Sequence, residues 1–370
     1  MHIASMLALR PVPAAGVFLT LTRRCPLSCA HCSTNSMLTS EEHSAAIFVG
    51  FARTFTVADH PDLVWLTGGE PLLRPDLVHE IVALAHAAGA KVALITGLYF
   101  ARRDGRIPPR LLRALLAVDH VVASQDIFHE VQVPRDAAFA AVATLVQAGQ
   151  DVSFQVVGSG AADPYLAEIT AQIRKAFADR VPALVAPLGS VGRAKDWLAS
   201  PPAHRNQLPV AMPCTVAAWP VVTFDGSIVA CCQQQVVDGP APAHLRLGRA
   251  PGDGWPAVAR AVRERATLRA IRTYGPEVLA EEAGAGLSPD GYCGTCASLD
   301  GNDQVVIAVD ALTRRPTFGY VESEVQRITE QTGPESFARR FGIAAYAHMV
   351  TLGLTADHDL ERTADAASAR

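Results

Sequence analysis

Three cysteines lie close together near the start of the chain, at C-x3-C-x2-C spacing, as Cys25, Cys29 and Cys32. Three thiols at this spacing can converge on one face of a tight loop. A [4Fe-4S] cluster usually takes four cysteine thiolates, and no fourth cysteine lies nearby. The motif therefore predicts a cluster held at three irons, with the fourth iron free to bind an external ligand.

A second motif, Thr67-Gly68-Gly69-Glu70-Pro71, follows further along the chain. The two glycines allow the backbone to approach a ligand closely, and the carboxylate of Glu70 can bind an ammonium group. Structural zinc is an alternative for the three cysteines, but its usual sites use C-x2-C pairs with a fourth ligand close by. Disulfides are a poorer alternative, because an odd trio of close cysteines pairs badly.

This order of motifs, with each one following a predicted strand, resembles the radical S-adenosylmethionine (radical SAM) enzymes. The resemblance implies that the amino and carboxylate groups of S-adenosylmethionine bind the free iron, with Gly68, Gly69 and Glu70 at the amino group. It also implies that an external one-electron donor of flavodoxin or ferredoxin type reduces the cluster. The cofactor is then cleaved to a 5′-deoxyadenosyl radical, which abstracts a hydrogen atom from a substrate.

The segments around these motifs alternate between apolar strands and amphipathic helices. This alternation is typical of parallel βαβ units, and the radical SAM family's (β/α)6 partial TIM barrel has the same strand count, so we expect an α/β fold. The predicted strands are 17–22, 63–66, 92–96, 120–123, 152–157 and 183–186, and the predicted helices are 40–57, 76–88, 109–118, 136–147 and 165–177.

Ligands gather at the carboxyl ends of the strands in such folds, so polar residues there are further candidates. The resemblance implies cofactor contacts after strands four and five and a cation after strand six, which nominates Ser124 and Arg193 beside Thr96. Asp126 and His129 lie in a dense run of titratable groups, so His129 is a candidate general base or orienting partner. The alternative for each of these residues is an ordinary polar loop position.

A second group of cysteines follows residue 200, where the strand–helix alternation ends. Residues 220–232 predict a hairpin with Asp-Gly as its turn. The cysteine and glycine spacing resembles the SPASM region of radical SAM enzymes in its shortened twitch form, and a structural zinc ribbon is the alternative. The resemblance implies one auxiliary [4Fe-4S] cluster on Cys214, Cys231, Cys293 and Cys296.

Cys231 and Cys232 are adjacent, so on a regular strand they would point to opposite faces and only one would reach the cluster. The glycine spacing favours Cys231 as the ligand. Cys232 is then either a buried packing residue or a hydrogen-atom donor facing the active site, which would suit an epimerase.

The length and charge of the chain set further expectations. The 370 residues divide into a lead-in (1–16), a radical SAM core (17–200), a SPASM/twitch-like region with a hairpin (201–303) and a C-terminal segment (304–370) with a strand at 305–309 and helices near 321–332 and 335–352. A net charge of −4 does not favour nucleic acid as a partner. The absence of a convincing signal peptide or spanning helix predicts a cytoplasmic protein with no membrane partner.

Peptide maturation is the favoured function, because SPASM-like enzymes often form a crosslink, a thioether or an inverted centre in a ribosomally made peptide. Only about sixteen residues precede the first strand, too few for a built-in leader-binding domain, so a separate leader-binding protein is a possible partner. The alternative is a small-molecule dehydrogenase acting on an alcohol of a sugar or aminocyclitol in natural-product biosynthesis. A non-catalytic Fe-S or zinc scaffold is a third, remote alternative.

Overall fold

The protein is described by a computed structural model that covers residues 1–198 and 212–355. Its first part consists of parallel strands joined by helices, which confirms the predicted α/β fold class. The helices are α1 (Ile3–Ala8), α2 (Ala45–Ala52), α3 (Pro75–Ala88), α4 (Pro109–Ala117), α5 (Ile127–Glu130), α6 (Arg135–Gln147) and α7 (Pro164–Phe177), and the strands are β1 (Gly16–Thr20), β2 (Leu63–Thr67), β3 (Lys91–Thr96), β4 (His120–Ser124), β5 (Val152–Gly158) and β6 (Ala183–Pro187).

These six strands pair in parallel in sequence order, as a partial barrel requires. Alternate residues of each strand face opposite sides of the sheet, so Val17 and Leu19 join the larger helix-covered core while Phe18 packs on the other side. That inner side is filled by apolar residues of α1, which pack with Trp65 of β2. The filled interior leaves the carboxyl ends of the strands as the open face.

Three short strands of the second part extend the same sheet. The strand β7 (Val221–Val222) pairs in parallel with β1, and β8 (Ser227–Val229) and β9 (Arg246–Arg249) continue it in antiparallel order. The predicted hairpin is therefore present, with Gly226 at a positive φ of 89° in its turn. The sheet has nine strands in the order β6-β5-β4-β3-β2-β1-β7-β8-β9.

The rest of the described chain is helical, and the prediction of a strand at 305–309 is wrong. Val305 and Val309 are buried one helical turn apart, while Val306 and Ile307 between them are exposed. Asn302 caps the helix by accepting the backbone N–H of Gln304. The helices are α8 (Gln234–Asp238), α9 (Trp255–Glu264), α10 (Ala266–Thr273), α11 (Pro276–Glu282), α12 (Gly291–Ser298), α13 (Asp303–Thr313), α14 (Phe318–Gln331) and α15 (Gly333–Phe341).

Two predicted helices have different bounds in the structure. The helix expected at 40–57 begins only after Ser44, whose side chain caps α2, because Glu42 instead accepts hydrogen bonds from Thr22 and Arg74. The helix expected at 335–352 is interrupted after Phe341, because the N–H of Ile343 donates to the carbonyl oxygen of Val185 on β6 at 2.9 Å. A 3₁₀ helix over Ala344–Thr351 follows.

The proposed boundary at residues 200 and 201 lies outside the described residues, as does the end of the C-terminal segment beyond residue 355. The division into domains therefore stays a prediction. Across the described ranges, every helix is too short or too polar to cross a membrane.

Candidate radical SAM site

A cavity of about 510 Å³ opens at the carboxyl ends of the strands. The twelve residues nominated for the first cluster, for the cofactor and for catalysis all line it, although they come from six separate segments of the chain. They are Cys25, Cys29, Cys32, Gly68, Gly69, Glu70, Thr96, Ser124, Asp126, His129, Arg193 and Cys232.

The three cysteines of the loop after β1 are free thiols that accept hydrogen bonds from nearby N–H groups. The backbone N–H groups of Leu27 and Ser36 approach the sulfurs of Cys25 and Cys32 at 3.4 Å each. Burial raises the pKa of Cys25 to about 12, so this thiol resists ionisation without a cationic partner. Converging soft ligands with N–H donors already aimed at two of the sulfurs are suited to an iron–sulfur cluster.

The glycines after β2 serve the contact between two loops. The N–H of Gly69 donates to the carbonyl oxygen of Thr22 at 2.6 Å, and a Cβ on Gly68 would lie 2.4 Å from that same oxygen. Gly68 also has a φ of 142°, which favours glycine. In the structure these glycines approach the backbone that leads into the cysteine loop, and their predicted close approach to a ligand stays a prediction.

Glu70 is completely buried, and its carboxylate is held by three donors. Oε1 accepts the N–H of Leu72 at 3.1 Å, while Oε2 accepts the hydroxyl of Thr96 at 3.0 Å and the N–H of Gly97 at 2.9 Å. Burial nevertheless raises the pKa of Glu70 to about 7. A carboxylate oriented in this way and short of positive charge suits an ammonium ligand, and Thr96 acts by positioning it.

The side chain of Arg193 contacts the cysteine loop. Its Nε donates to the carbonyl oxygen of Cys29 at 2.9 Å, and its Nη1 donates to that of Ser36 at 2.7 Å. Its own N–H donates to the carbonyl oxygen of Cys32 at 3.0 Å. These contacts hold the loop in shape, and the role of Arg193 as a cation that assists cofactor binding stays a prediction.

Gly192→Ala is expected to loosen this contact and lower iron retention. Gly192 has a φ of 56°, and an added Cβ would lie 2.1 Å from the carbonyl oxygen of Cys32. The matched control is Gly149→Ala, since Gly149 has a φ of 83° with no heavy atom within 4 Å of its Cβ position. Left-handed strain alone costs about 1–2 kcal/mol in each variant. Equal losses of iron and of unfolding free energy in both variants would contradict the prediction.

Asp126 joins two histidines beneath the cysteine loop. Its Oδ2 lies 2.8 Å from Nδ1 of His129 and 3.3 Å from Nε2 of His31, while Oδ1 caps α5. Burial acts to lower the pKa of His129, but Asp126 and Cys29 outweigh it and raise the pKa to about 10. Burial acts to raise the pKa of Asp126. The two histidines outweigh this effect and hold the pKa far below its usual range. His129 therefore holds the proton of this pair at neutral pH, with 13% of its side chain exposed.

Asp126→Asn is expected to lower the free energy of unfolding at neutral pH, by at most about 3–5 kcal/mol, because it leaves the partly buried charge of His129 without its partner. The raised pKa of His129 gives the sign of the pH dependence. The stabilisation that protonated His129 gives the folded state is complete below an unfolded-state pKa of about 6.5. It is lost as the pH rises towards about 10. Denaturant unfolding at several pH values measures the difference in free energy of unfolding between the wild type and Asp126→Asn. The control is Asp136→Asn at an exposed position, whose free energy of unfolding should stay within about 0.5 kcal/mol of the wild type. A free-energy difference between the wild type and Asp126→Asn that does not change with pH would contradict this account.

Three residues of the site were missed by the sequence argument. The carboxamide of Gln132 accepts the N–H of Ser28 at 2.9 Å and approaches the sulfur of Cys29 at 3.5 Å. The indole N–H of Trp197 donates to the carbonyl oxygen of Ala30 at 3.0 Å. The third is His31, which lies between two cysteines of the loop and was not predicted to have a role. The partners of Gln132 and Trp197 are distant in sequence, so no local pattern indicated them.

The second group of cysteines lies beside this cavity. Cys214 precedes a 3₁₀ turn, Cys231 follows β8, and Cys293 and Cys296 are on α12. Burial raises the pKa of Cys231 well above its usual value, and the thiols of Cys232, Cys214 and Cys296 add to this effect. Electrostatic interactions of this kind act over short distances, so at least these four thiols lie close together. Cys293 in turn interacts with Cys214.

Cys231 and Cys232 do not lie on a regular strand, which was the condition for their side chains to point to opposite faces. The strand β8 ends at Val229, so the alternation of faces does not extend to these cysteines. Cys232 is also exposed and lines the cavity, which contradicts the expectation of a buried packing residue. It stands between the cavity and the second cysteine group.

Comparison with known proteins supports the assignment of the core. A PqqA peptide cyclase of Ruegeria pomeroyi is 40% identical over 99 residues, which cover 25% of this chain and 26% of that protein. Molybdenum cofactor biosynthesis protein 1 of Bos taurus is 33% identical over 114 residues, or 28% of this chain and 16% of that protein. The chain therefore matches about a quarter or less of these curated relatives.

A structural comparison extends further along the chain. Streptococcus suis SuiB bound to precursor peptide SuiA superposes with a TM-score of 0.51 at 12% identity, covering 78% of this chain and 77% of SuiB. This likeness concerns the fold alone. The family model described as Radical SAM superfamily matches residues 19–171, which include the cysteine loop, Glu70, Asp126 and His129. Residues 19–171 thus match the radical SAM superfamily domain.

Proposed function

We propose that the chain is a radical SAM enzyme that modifies a ribosomally made peptide. The observation that carries this proposal is the convergence of the three loop cysteines and Glu70 on one cavity at the carboxyl ends of the strands. The matched family domain spans the same residues.

The residues at the cavity fit the two cofactors of that family. Cys25, Cys29 and Cys32 would hold a [4Fe-4S] cluster, and Glu70, oriented by Thr96, would bind the amino group of S-adenosylmethionine. When bound and reduced by an external one-electron donor, these cofactors supply a carbon-centred radical that abstracts a substrate hydrogen. Ser124 ends β4 at the cavity and is the proposed contact for the rest of the cofactor.

The chain's own residues organise the site around these cofactors. Arg193 and Gln132 fix the loop and would thereby hold the three sulfurs in position for the cluster. His129 holds a proton on the imidazole paired with Asp126, close to Cys29. Cys29 interacts with His129 rather than with Asp126, so the positive end of this ion pair would face the cluster ligand and favour the reduced, more negative cluster. We therefore assign Asp126 and His129 an electrostatic role rather than that of a general base.

The second cysteine group is proposed to hold an auxiliary [4Fe-4S] cluster on Cys214, Cys231, Cys293 and Cys296. This cluster would accept an electron from a substrate radical or bind the substrate directly. Cys232 lines the cavity beside this group, which supports a role as a hydrogen-atom donor if the reaction inverts a centre.

A peptide substrate is favoured because the relative with 40% identity is named a PqqA peptide cyclase. A small-molecule substrate, such as an alcohol of a sugar or aminocyclitol, is the second candidate, since another relative is named for molybdenum cofactor biosynthesis. A separate leader-binding protein would belong to the first candidate and not to the second.

The test uses the full chain, reconstituted anaerobically with iron and sulfide and reduced with dithionite. Release of 5′-deoxyadenosine from S-adenosylmethionine tests the enzyme class, and its absence would leave a non-catalytic scaffold. Synthetic peptides from small reading frames beside the gene, with any neighbouring leader-binding protein, are then compared with aminocyclitols. A mass change in a peptide supports peptide maturation, while turnover of an aminocyclitol alone would overturn it.

A further inference from the structure

Arg10 is a buried cation in the segment that precedes β1. Its side chain is 4% exposed, and its guanidinium lies over the ring of Trp219 at 4.5 Å and over that of Phe18 at 5.2 Å. The ring of Phe337 from α15 closes a third side at 5.8 Å. These three aromatic residues come from distant parts of the chain and hold the guanidinium in one place.

The guanidinium of Arg10 is not paired with a carboxylate within the described ranges. Its Nη1 is buried without a hydrogen-bond partner there, and its Nη2 is directed at the sulfur of Cys232 at 3.9 Å. Burial acts to lower the pKa of Arg10, while the thiols of Cys232, Cys231 and Cys214 act to raise it. The groups that face this arginine and could carry negative charge are therefore the thiols of Cys232 and of the second cysteine group.

A buried charge is costly unless an opposite charge lies near it. Aromatic faces offset only part of this cost. Neutral thiols supply no negative charge, whereas four thiolates outweigh the positive charge of a [4Fe-4S] core and make the whole centre anionic. The position of Arg10 is thus explained when the cysteine group is occupied.

We propose that Arg10 is the counter-cation of the auxiliary centre and tunes its reduction potential. This inference rests on the auxiliary cluster of the proposed function. A fixed positive charge stabilises the state with one more electron, so it raises the midpoint potential and makes the centre a better electron acceptor. Arg10 is a positioning residue in this account, since it acts through the cysteine group and touches no substrate.

The experiment isolates the second centre by placing Cys25, Cys29 and Cys32 together as alanines in the full chain. Arg10, R10K and R10M are compared in this background by redox titration followed by electron paramagnetic resonance. The expected result is a more negative midpoint potential in R10M and a potential near that of the parent in R10K. Circular dichroism checks folding, and R10Q replaces R10M if the latter does not fold.

The outcomes separate the two proposals. A background protein that holds no iron refutes the auxiliary cluster itself and the inference that depends on it. Iron retained with the same potential in all variants refutes the role of Arg10 alone. Equal shifts in R10K and R10M would also refute it, because packing rather than charge would then be responsible. Loss of the second-site iron in R10M but not in R10K would support it.

Discussion

Cys29→Ala is expected to abolish both the first cluster and the cleavage of S-adenosylmethionine. Cys29 is the most buried cysteine of the loop, and the carboxamide of Gln132 lies against its sulfur. A cluster that has only three protein ligands has no spare one, so removal of one thiolate should cost about four irons per chain. Iron analysis and the yield of 5′-deoxyadenosine measure the two losses on the same sample.

The matched control is Cys232→Ala, which removes a thiol from the same cavity without removing a proposed ligand. This variant should keep its iron and still cleave S-adenosylmethionine. Circular dichroism of Cys29→Ala separates loss of the cluster from loss of the fold. Cleavage that persists in Cys29→Ala would rule out the assignment of the cysteine loop.

Cys296→Ala is the second large effect, and it should uncouple cleavage from product formation. Cys296 lies on α12 and does not line the main cavity, so its loss leaves the first cluster and the Glu70 site intact. Release of 5′-deoxyadenosine should continue, while modification of the substrate should fall below detection. The ratio of modified substrate to 5′-deoxyadenosine is the measured quantity.

Metal analysis sharpens this second result. The wild type should contain about eight irons and Cys296→Ala about four, at four per cluster. Ser298→Ala on the same helix is the control for disturbance of α12, because its hydroxyl bonds only to its own helix in the contacts described. Complete loss of cleavage in Cys296→Ala, or zinc in place of the second iron set, would indicate a structural site instead.

Much of the core could be predicted because each strand is a short apolar run bounded by polar or turn residues. The start of β2 at Leu63 and of β4 at His120 was predicted to the residue. The strand predicted at 305–309 failed because periodicity alone cannot distinguish a short apolar run such as Val-Val-Ile-Ala-Val on a strand from the same run within a helix. The cap at Asn302 was the local signal that could have corrected it.

The residues that line the cavity could be predicted where they belong to one contiguous motif. They could not be predicted where their contacts join residues that are distant in sequence. The cysteine loop and Gly68-Gly69-Glu70 are such motifs, and their members do share a cavity. Arg193 was assigned by strand position alone, so its contacts with loop carbonyl oxygens could not be foreseen. His31 and Arg10 gain significance only from partners brought close by tertiary packing.

The pairing of β1 with both β2 and β7 has a consequence for synthesis of the protein. Until Val221 and Val222 leave the ribosome, one edge of β1 lacks its partner and exposes unpaired backbone groups. Such an edge can pair with another nascent chain, and pairing with β7 closes this route to aggregation. The strand that delivers the first cysteine loop thus becomes shielded only when the second half of the protein has begun to fold.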